Sequence, residues 1–548
     1  MKTGVLASLG MLCALPLAAQ TAVPQFTIEL APVSFSGTTP VPGLHSFARA
    51  IGPSGQWLIV SGRTNGLHSF TSSSKTGAPP ANAFPPQQAN NQLWVIDPNA
   101  KRVYPPASIP APPLGDSLAV TNAEWFQDGD TLYVVGGYGN QTSTGTMTTF
   151  TTITAIPVSG TITAIMNGTA LPAFTQVSTW YDCVNAGQNT YNNCLGPAQQ
   201  KCQPGPKWQQ CMQSAQTTCA AQQATTQAQC NSAVLKGDAS GAKQYMSNTG
   251  PSYIKVAGGA IEKTGDIVWM VFGQDFEGLY SVNAGDYGRW PTSQVYTERM
   301  VALWIGNLGG QLSAAVLNVL QGDPNTQLWH RRDLNVVPAI DTDGSAMVTA
   351  YGGVFVPGKV AAFDQPVYLH NANSALGAKA SLDPYHQLFS QYECATLKIY
   401  SASAKLMQTV FFGGIGLFYI SPNNGTLQKD TGLPFVNTLS VMSRASNGTT
   451  SEAYATTALP SFMGASADFI PSPAVPRQSG EIIALDKITT KTLAGWIYGG
   501  ILSPQPQPPS GGTTASNVVY EVWLTPGPPP ASYWNVVTPS DEGMLKGR

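Results

Sequence analysis

The side chains best suited to grip a polar ligand fall into four short clusters: His45 to Arg49, Glu124-Trp125, Trp329-His330-Arg331-Arg332-Asp333 and Tyr392-Glu393-Cys394. Arginine offers a planar fork that matches carboxylates and sugar hydroxyls, and tryptophan or tyrosine offers a flat face for stacking. That chemistry fits a saccharide or protein contact, which makes Arg49, Glu124, Trp329, His330, Arg332, Tyr392 and Glu393 the candidate ligand-binding residues. The same residues also read as ion pairs between neighbouring elements with buried aromatics, because a buried arginine needs a partner.

Other chemistries find less support. Gly-Leu-His-Ser-Phe stands at 43–47 and again at 66–70, so His45 and His68 would need a third ligand to hold a metal. With five histidines in the chain and no H-E-x-x-H, ordinary hydrogen-bonded histidines are the expectation. Asp341-Thr342-Asp343-Gly344 opens like a calcium loop but lacks the closing glutamate, so a β-turn is expected. No G-x-S-x-G, phosphate-cradling loop or dinucleotide fingerprint sits in a strand-to-helix setting. We therefore assign no catalytic residue, metal or cofactor.

The composition narrows the partners. Only 10% of the 548 residues are charged, 27 basic against 29 acidic, where soluble domains average about 25%. Without a basic run, an electrostatic grip on nucleic acid or on an anionic membrane is not expected. Met1-Lys2-Thr3, an apolar run from Gly4 to Leu17 and the small residues Ala18-Ala19 read as a signal peptide over 1–19, hence export to a periplasm or the extracellular space. The longest later apolar stretch, 406–420, is broken by Gly413-Gly414 and falls short of the ~20 residues of a spanning helix. Membrane insertion is not expected.

Six of the eight cysteines cluster at 183, 194, 202, 211, 219 and 230, with gaps of 10, 7, 8, 7 and 10 residues. This palindrome centres on Gln203-Pro204-Gly205-Pro206-Lys207, a turn sequence, and its flanks are rich in helix-compatible Ala and Gln. An antiparallel helical hairpin over 181–235 follows, in an oxidising compartment. Mirror symmetry favours Cys183–Cys230, Cys194–Cys219 and Cys202–Cys211, although six cysteines permit about 15 connectivities. Cys13 leaves with the signal, and Cys394 is left over.

The remainder reads as short strands between turns, an all-β pattern with a repeat. A turn precedes an apolar strand that ends in glycine six times: at Gly62, Gly136-Gly137, Gly273, Gly352-Gly353, Gly413-Gly414 and Gly499-Gly500. The first and third copies lack the double glycine. This pattern resembles the kelch repeat, in which the second strand of each blade ends in a glycine pair. The resemblance implies an all-β, six-bladed kelch-like β-propeller carrying the disulfide-rich helical hairpin, with a seventh blade within 274–330 as the alternative. Blades 1 and 2 with an N-terminal closing strand would occupy 20–180, and blades 3 to 6 would occupy 236–548. Closure is expected to pair 26–30 with 518–524; the other option pairs 518–524 with 533–537.

Arg49 and Glu124 each precede their second glycine by 13 residues, and Arg332 and Glu393 by 21. Each pair would therefore hold equivalent places along the central channel of a propeller. The resemblance further implies a face crowded by the long loops after the glycine marks, including 71–91, 274–294 and 504–517, with the cysteine hairpin beside them. From this we expect a non-catalytic binding or scaffold propeller that meets a protein or glycan partner at its loop-rich face. A carbohydrate-active kelch enzyme is the alternative: a sugar isomerase, or a copper-radical oxidase using Cys394 beside Tyr392.

Overall fold

The computed structural model describes residues 23–68, 82–280 and 292–537; the signal segment and Trp290 lie outside them. The chain is mostly β, in antiparallel sheets of four to seven strands. Among the described residues, six sheets follow one another with innermost strands Ala48–Ile51, Glu124–Asp128, Ala260–Thr264, Asn335–Ile340, Thr396–Ser401 and Phe462–Pro471. Each innermost strand packs beside the next, and a hydrogen bond from Ser46 N–H to the Ser466 carbonyl (3.1 Å) joins the sixth to the first. Apolar clusters fill the space between adjacent sheets, such as Leu58, Val60, Leu132 and Val134 between the first and second. Each such fully buried side chain contributes ~1.5–3 kcal/mol.

The glycine marks are the joints between sheets. At Gly352 a Cβ would stand 2.1 Å from the Gln391 carbonyl oxygen, because the chain entering the next sheet crosses there. The following residue, Gly353, donates its N–H to that same carbonyl at 2.6 Å. The arrangement recurs in Gly62 to Val120 (2.8 Å), Gly137 to Val256 (2.8 Å), Gly273 to Arg331 (2.9 Å) and Gly500 to Leu44 (2.8 Å). The copies that lack a double glycine keep the geometry, since Ser61 (φ 61°) and Phe272 (φ 58°) adopt the left-handed conformation of Gly136 (φ 61°). Tertiary packing here overrides the preference of non-glycine residues for negative φ.

Both chain ends serve the outer rim. Phe26–Pro32 pairs antiparallel with Val519–Pro526 in the sixth sheet. Trp534–Val536 instead extends the fifth sheet beyond Thr450–Ala455, and the Trp534 indole N–H reaches back to the Phe26 carbonyl at 2.9 Å.

Two helices, Cys183–Lys201 and Trp208–Leu235, form the insertion, and its disulfides are Cys183–Cys230, Cys194–Cys219 and Cys202–Cys211. Its placement corrects the sequence expectation. Thr179–Asp182 adds in parallel to the outer strand Gln311–Gln321 of the third sheet, and Asp182 then caps the first helix by accepting the Asn185 N–H at 2.8 Å. The helical pair therefore leans on the outer edge of the third sheet instead of standing among the loops, and Cys183 and Cys230 are buried with Trp269 and Leu317 in its core.

Of the loops after the glycine marks, 69–81 and 281–291 lie outside the described residues. The described parts of those of the second and third sheets build a sheet of their own, in which Thr146–Thr149 bridges Tyr138–Gln141 and Gln274–Glu277.

Candidate functional site

Six positions, five just before an inner strand and Ser466 within one, form a collar around the axis. Ser466 donates its N–H to Glu393 O (2.9 Å), Glu393 to Asp333 O (3.0 Å), Asp333 to Gly258 O (2.6 Å) and Gly258 to Asn122 O (2.9 Å). With the Ser46 to Ser466 bond these carbonyls and amides run nearly full circle. The collar separates a small polar pocket on the loop side from a large cavity that continues down the axis to the turns at Gly52, Gly129, Gly265 and Gly344.

The collar also revises the residue equivalences. Arg49 pairs with Ile59, three residues before Gly62, whereas Glu124 pairs with Val135, two before Gly137. Glu393 corresponds to Asp333, its neighbour in the collar, and not to Arg332. Counting back from the glycines slips by one residue because strands and turns differ in length between sheets: 52–56 links the first pair of strands and only 129–130 the second.

On the loop side, Arg332 donates to Gln274 Oε1 (2.7 Å), Tyr280 Oη (3.0 Å) and Asp333 Oδ2 (3.1 Å). Tyr392 also lines this pocket, with His45, Arg63 and His68. Burial, followed by the charge of Arg63, pushes the His45 imidazole down to about 3, so it is neutral at physiological pH. The free space is only about 50 Å³, room for one or two waters. We read this region as a hydrogen-bonded plug. Trp329 lies outside both spaces, against Phe272 at 5.4 Å, and His330 stacks on Tyr296 at 3.7 Å while its Nδ1 meets Glu298 Oε1 at 2.5 Å.

The axial cavity, about 1050 Å³, takes in Arg49, Glu124, Trp125 and Glu393 from the sequence candidates. Arg49 is held by two carboxylates, Asp468 Oδ2 at 2.5 Å and Glu481 Oε1 at 2.9 Å, and Lys398 Nζ takes the other Glu481 oxygen at 2.9 Å. Burial works against these charges, but the pairing overrides it: Arg49 is raised and Glu481 lowered from their usual ranges. Three further carboxyls, Glu124, Glu262 and Glu393, face the axis without such a cation. Burial, and then the nearby Asp333 and Asp468, push Glu393 up to about 8. Burial, and then Glu481, push Glu262 up to about 8, and burial raises Glu124 well above the carboxylate range despite the Gly259 N–H on its Oε1 at 2.8 Å. Glu262 and Glu393 are only half-buried by solvent contact, yet they stand deep in a channel walled by protein, where desolvation persists.

With values pushed up to about 8, Glu262 and Glu393 favour the protonated form near neutral pH, in which a carboxyl both donates and accepts. Trp125 forms part of the same wall, 4.9 Å below the Arg49 guanidinium. Sequence reasoning missed Glu262, Lys398, Asp468 and Glu481; the available signal was a charged side chain inside an otherwise apolar inner strand, visible at Lys398 and Asp468. Cys394 is buried among Val337, Tyr351, Phe411 and Met442, and burial first of all pushes its thiol up to about 12. Among the described residues no group of three His, Cys, Asp or Glu side chains converges to hold a metal ion.

No protein-family model matches the chain, and no curated protein matches it. It is similar to a solved structure titled "Structure of YjhT", with 10% sequence identity and a TM-score of 0.40, over 89% of this chain and 98% of that one. A superposition this loose locates no site.

Proposed function

We propose that the chain is an exported six-bladed kelch-type propeller that binds a neutral, hydroxyl-rich glycan in its axial cavity. The observation that carries this reading is that Glu124, Glu262 and Glu393 line a cavity of about 1050 Å³ without an ion-pair partner among the described residues, with burial raising all three. Arg49 and Lys398 are neutralised by Asp468 and Glu481, and Lys263 faces Asp128, so these cations are matched by carboxylates, while Arg477 at the turn end is held by the Ser472 and Gly480 carbonyls. Neutral acids instead match sugar hydroxyls, which both donate and accept, and Trp125 supplies apolar surface. The volume suits a ligand of a few sugar rings.

The test is to screen the mature chain against neutral and acidic oligosaccharides, then titrate the best neutral binder calorimetrically. Glu393→Gln keeps a neutral donor and acceptor and should retain affinity, whereas Glu393→Leu and Trp125→Ala should each lose about tenfold or more. Affinity should fall as pH rises through about 8, where Glu262 and Glu393 ionise. Absence of binding to any neutral oligosaccharide, or affinity unmoved in both losing variants, overturns the reading.

A further inference from the structure

A serine and a histidine on the outer strands of the fourth sheet meet an aspartate from the turn that follows its innermost strand; none of the three lines the axial cavity. His370 closes the third strand of that sheet, Val367–His370, and Ser381 lies in its edge strand, Lys379–Leu382. Strand alternation puts Val367, Leu369, Ala380 and Leu382 against the third sheet. Tyr368, His370, Lys379 and Ser381 are thereby turned to the opposite face, toward the fifth sheet. Asp341 stands in the turn between the first and second strands, 7% exposed.

The three side chains form one hydrogen-bonded line. Asp341 Oδ2 and His370 Nδ1 are 2.5 Å apart, and His370 Nε2 and Ser381 Oγ are 2.7 Å apart. Asp341 is itself fixed, because its Oδ1 accepts the Thr342 N–H at 2.7 Å and faces Arg444 Nη2 at 3.5 Å. Burial raises this carboxyl, but the bonds from His370 and Thr342 outweigh it and the net direction is downward. With Asp341 as an anion taking the Nδ1 proton, the geometry suits the tautomer in which Nε2 accepts the Ser381 hydroxyl. These are the relations of nucleophile, general base and orienting carboxylate required for serine-dependent acyl transfer. Ser381 is exposed to solvent, so a substrate reaches it without any opening of the fold.

We propose that Ser381, His370 and Asp341 form an acyl-transfer site for short-chain carboxylic esters. Ser381 Oγ bonds to the ester carbonyl carbon while its proton passes to His370 Nε2. The carbon–oxygen bond to the alcohol then breaks, and the alcohol leaves with that proton. Water next adds to the acyl carbon, giving its proton to Nε2; the acid departs as the Ser381 oxygen is reprotonated. Asp341 acts as a positioning residue, holding the imidazole in the accepting tautomer. Lys379 shares that face and stands opposite His370 in the strand register. The open position of Ser381 selects small acyl groups over long ones that need a tunnel. This site stands apart from the glycan reading and does not depend on it.

The test uses the full mature chain, a fluorophosphonate probe and p-nitrophenyl acetate. Phosphonylation releases fluoride and the Ser381 proton and leaves a covalent mark that peptide mass spectrometry assigns to one serine. The expected result is modification at Ser381, abolished in Ser381→Ala and slowed at least about 100-fold in His370→Gln, in line with loss of a general base. Asp341→Asn should slow labelling and alter its pH profile, and Asp341→Glu should restore part of the rate. Ester hydrolysis should follow the same order, while melting temperatures show that Ser381→Ala stays folded. An unmodified Ser381 in the parent chain, or equal modification rates in the parent and His370→Gln, overturns the proposal.

Discussion

Truncating the outermost disulfide of the helical hairpin should destabilise the whole ring, whereas truncating the innermost should not. Cys183 and Cys230 are fully buried and share a core with Trp269, Val271, Val234 and Leu317. Their bridge spans 47 residues, but Cys194–Cys219 remains closed in the variant, so the loop released is about 24 residues and its chain entropy is worth about 3.5 kcal/mol. Two buried sulfurs cut back to methyl groups add roughly 2 kcal/mol. A loss near 5 kcal/mol corresponds to a fall of about 5 °C in Tm for a cooperative unit of this size. Cys202–Cys211 closes only a short loop at the tip, where the helices from 188 to 218 have no fully buried residue except Cys202. Its removal should fray the tip and move the main transition by less than about 1 °C. The assay compares Cys183→Ala/Cys230→Ala with Cys202→Ala/Cys211→Ala by calorimetry and by tryptophan fluorescence, for which Trp269 reports on the affected core. Equal shifts in the two variants, or an unmoved transition in the first, would refute the reasoning.

Ser61 has φ 61°, no solvent exposure and a hydroxyl without a hydrogen-bond partner; Ser61→Gly should therefore raise stability by ~1–2 kcal/mol in denaturant titrations. Gly352→Ala should lower it by roughly 3 kcal/mol, since the added Cβ would lie 2.1 Å from the Gln391 oxygen. Arg49→Met leaves Asp468 and Glu481 without their guanidinium and should cost ~3 kcal/mol, the low end for a broken buried pair, because those carboxylates are 26% and 33% exposed. Adding Asp468→Asn should recover part of that loss. Burial pushes Glu452 up to about 8, against the pull of the Leu388 and Phe389 N–H groups. A folded-state value above the unfolded one means stability is fully present below about pH 4.3 and is lost as pH rises toward 8. Melting temperatures should fall between pH 5 and pH 9, with a shallower fall in Glu452→Gln, and a slope identical in both proteins would contradict this.

Chain-local features were legible in the sequence because each expresses a short-range rule. Turn, apolar strand and glycine recur wherever one sheet must pass its backbone close to the next, so six copies at Gly62, Gly137, Gly273, Gly353, Gly414 and Gly500 mark the six joints. The mirrored cysteine spacing follows from two helices lying antiparallel, which sets Cys183, Cys194 and Cys202 at the heights of Cys230, Cys219 and Cys211. Several other features depend on contacts between residues far apart in the chain. Ser61 and Phe272 take glycine-like backbone angles because the crossing chain at 118–122 and 329–333 demands it, whatever their own preferences. Counting from the glycines put Arg49 level with Glu124, but pairing across turns of unequal length decides the register, and one residue is enough to exchange a collar position for its neighbour. The same holds for the chemistry. Glu262, Lys398, Asp468 and Glu481 come from the third, fifth and sixth stretches of the chain and meet only because the inner strands share one axis, where common desolvation favours the neutral form of some carboxyls and pairs others with Arg49 and Lys398. Asp341, His370 and Ser381 span 40 residues without any motif between them; a β-turn, a strand end and an edge strand, folded side by side, bring them into line.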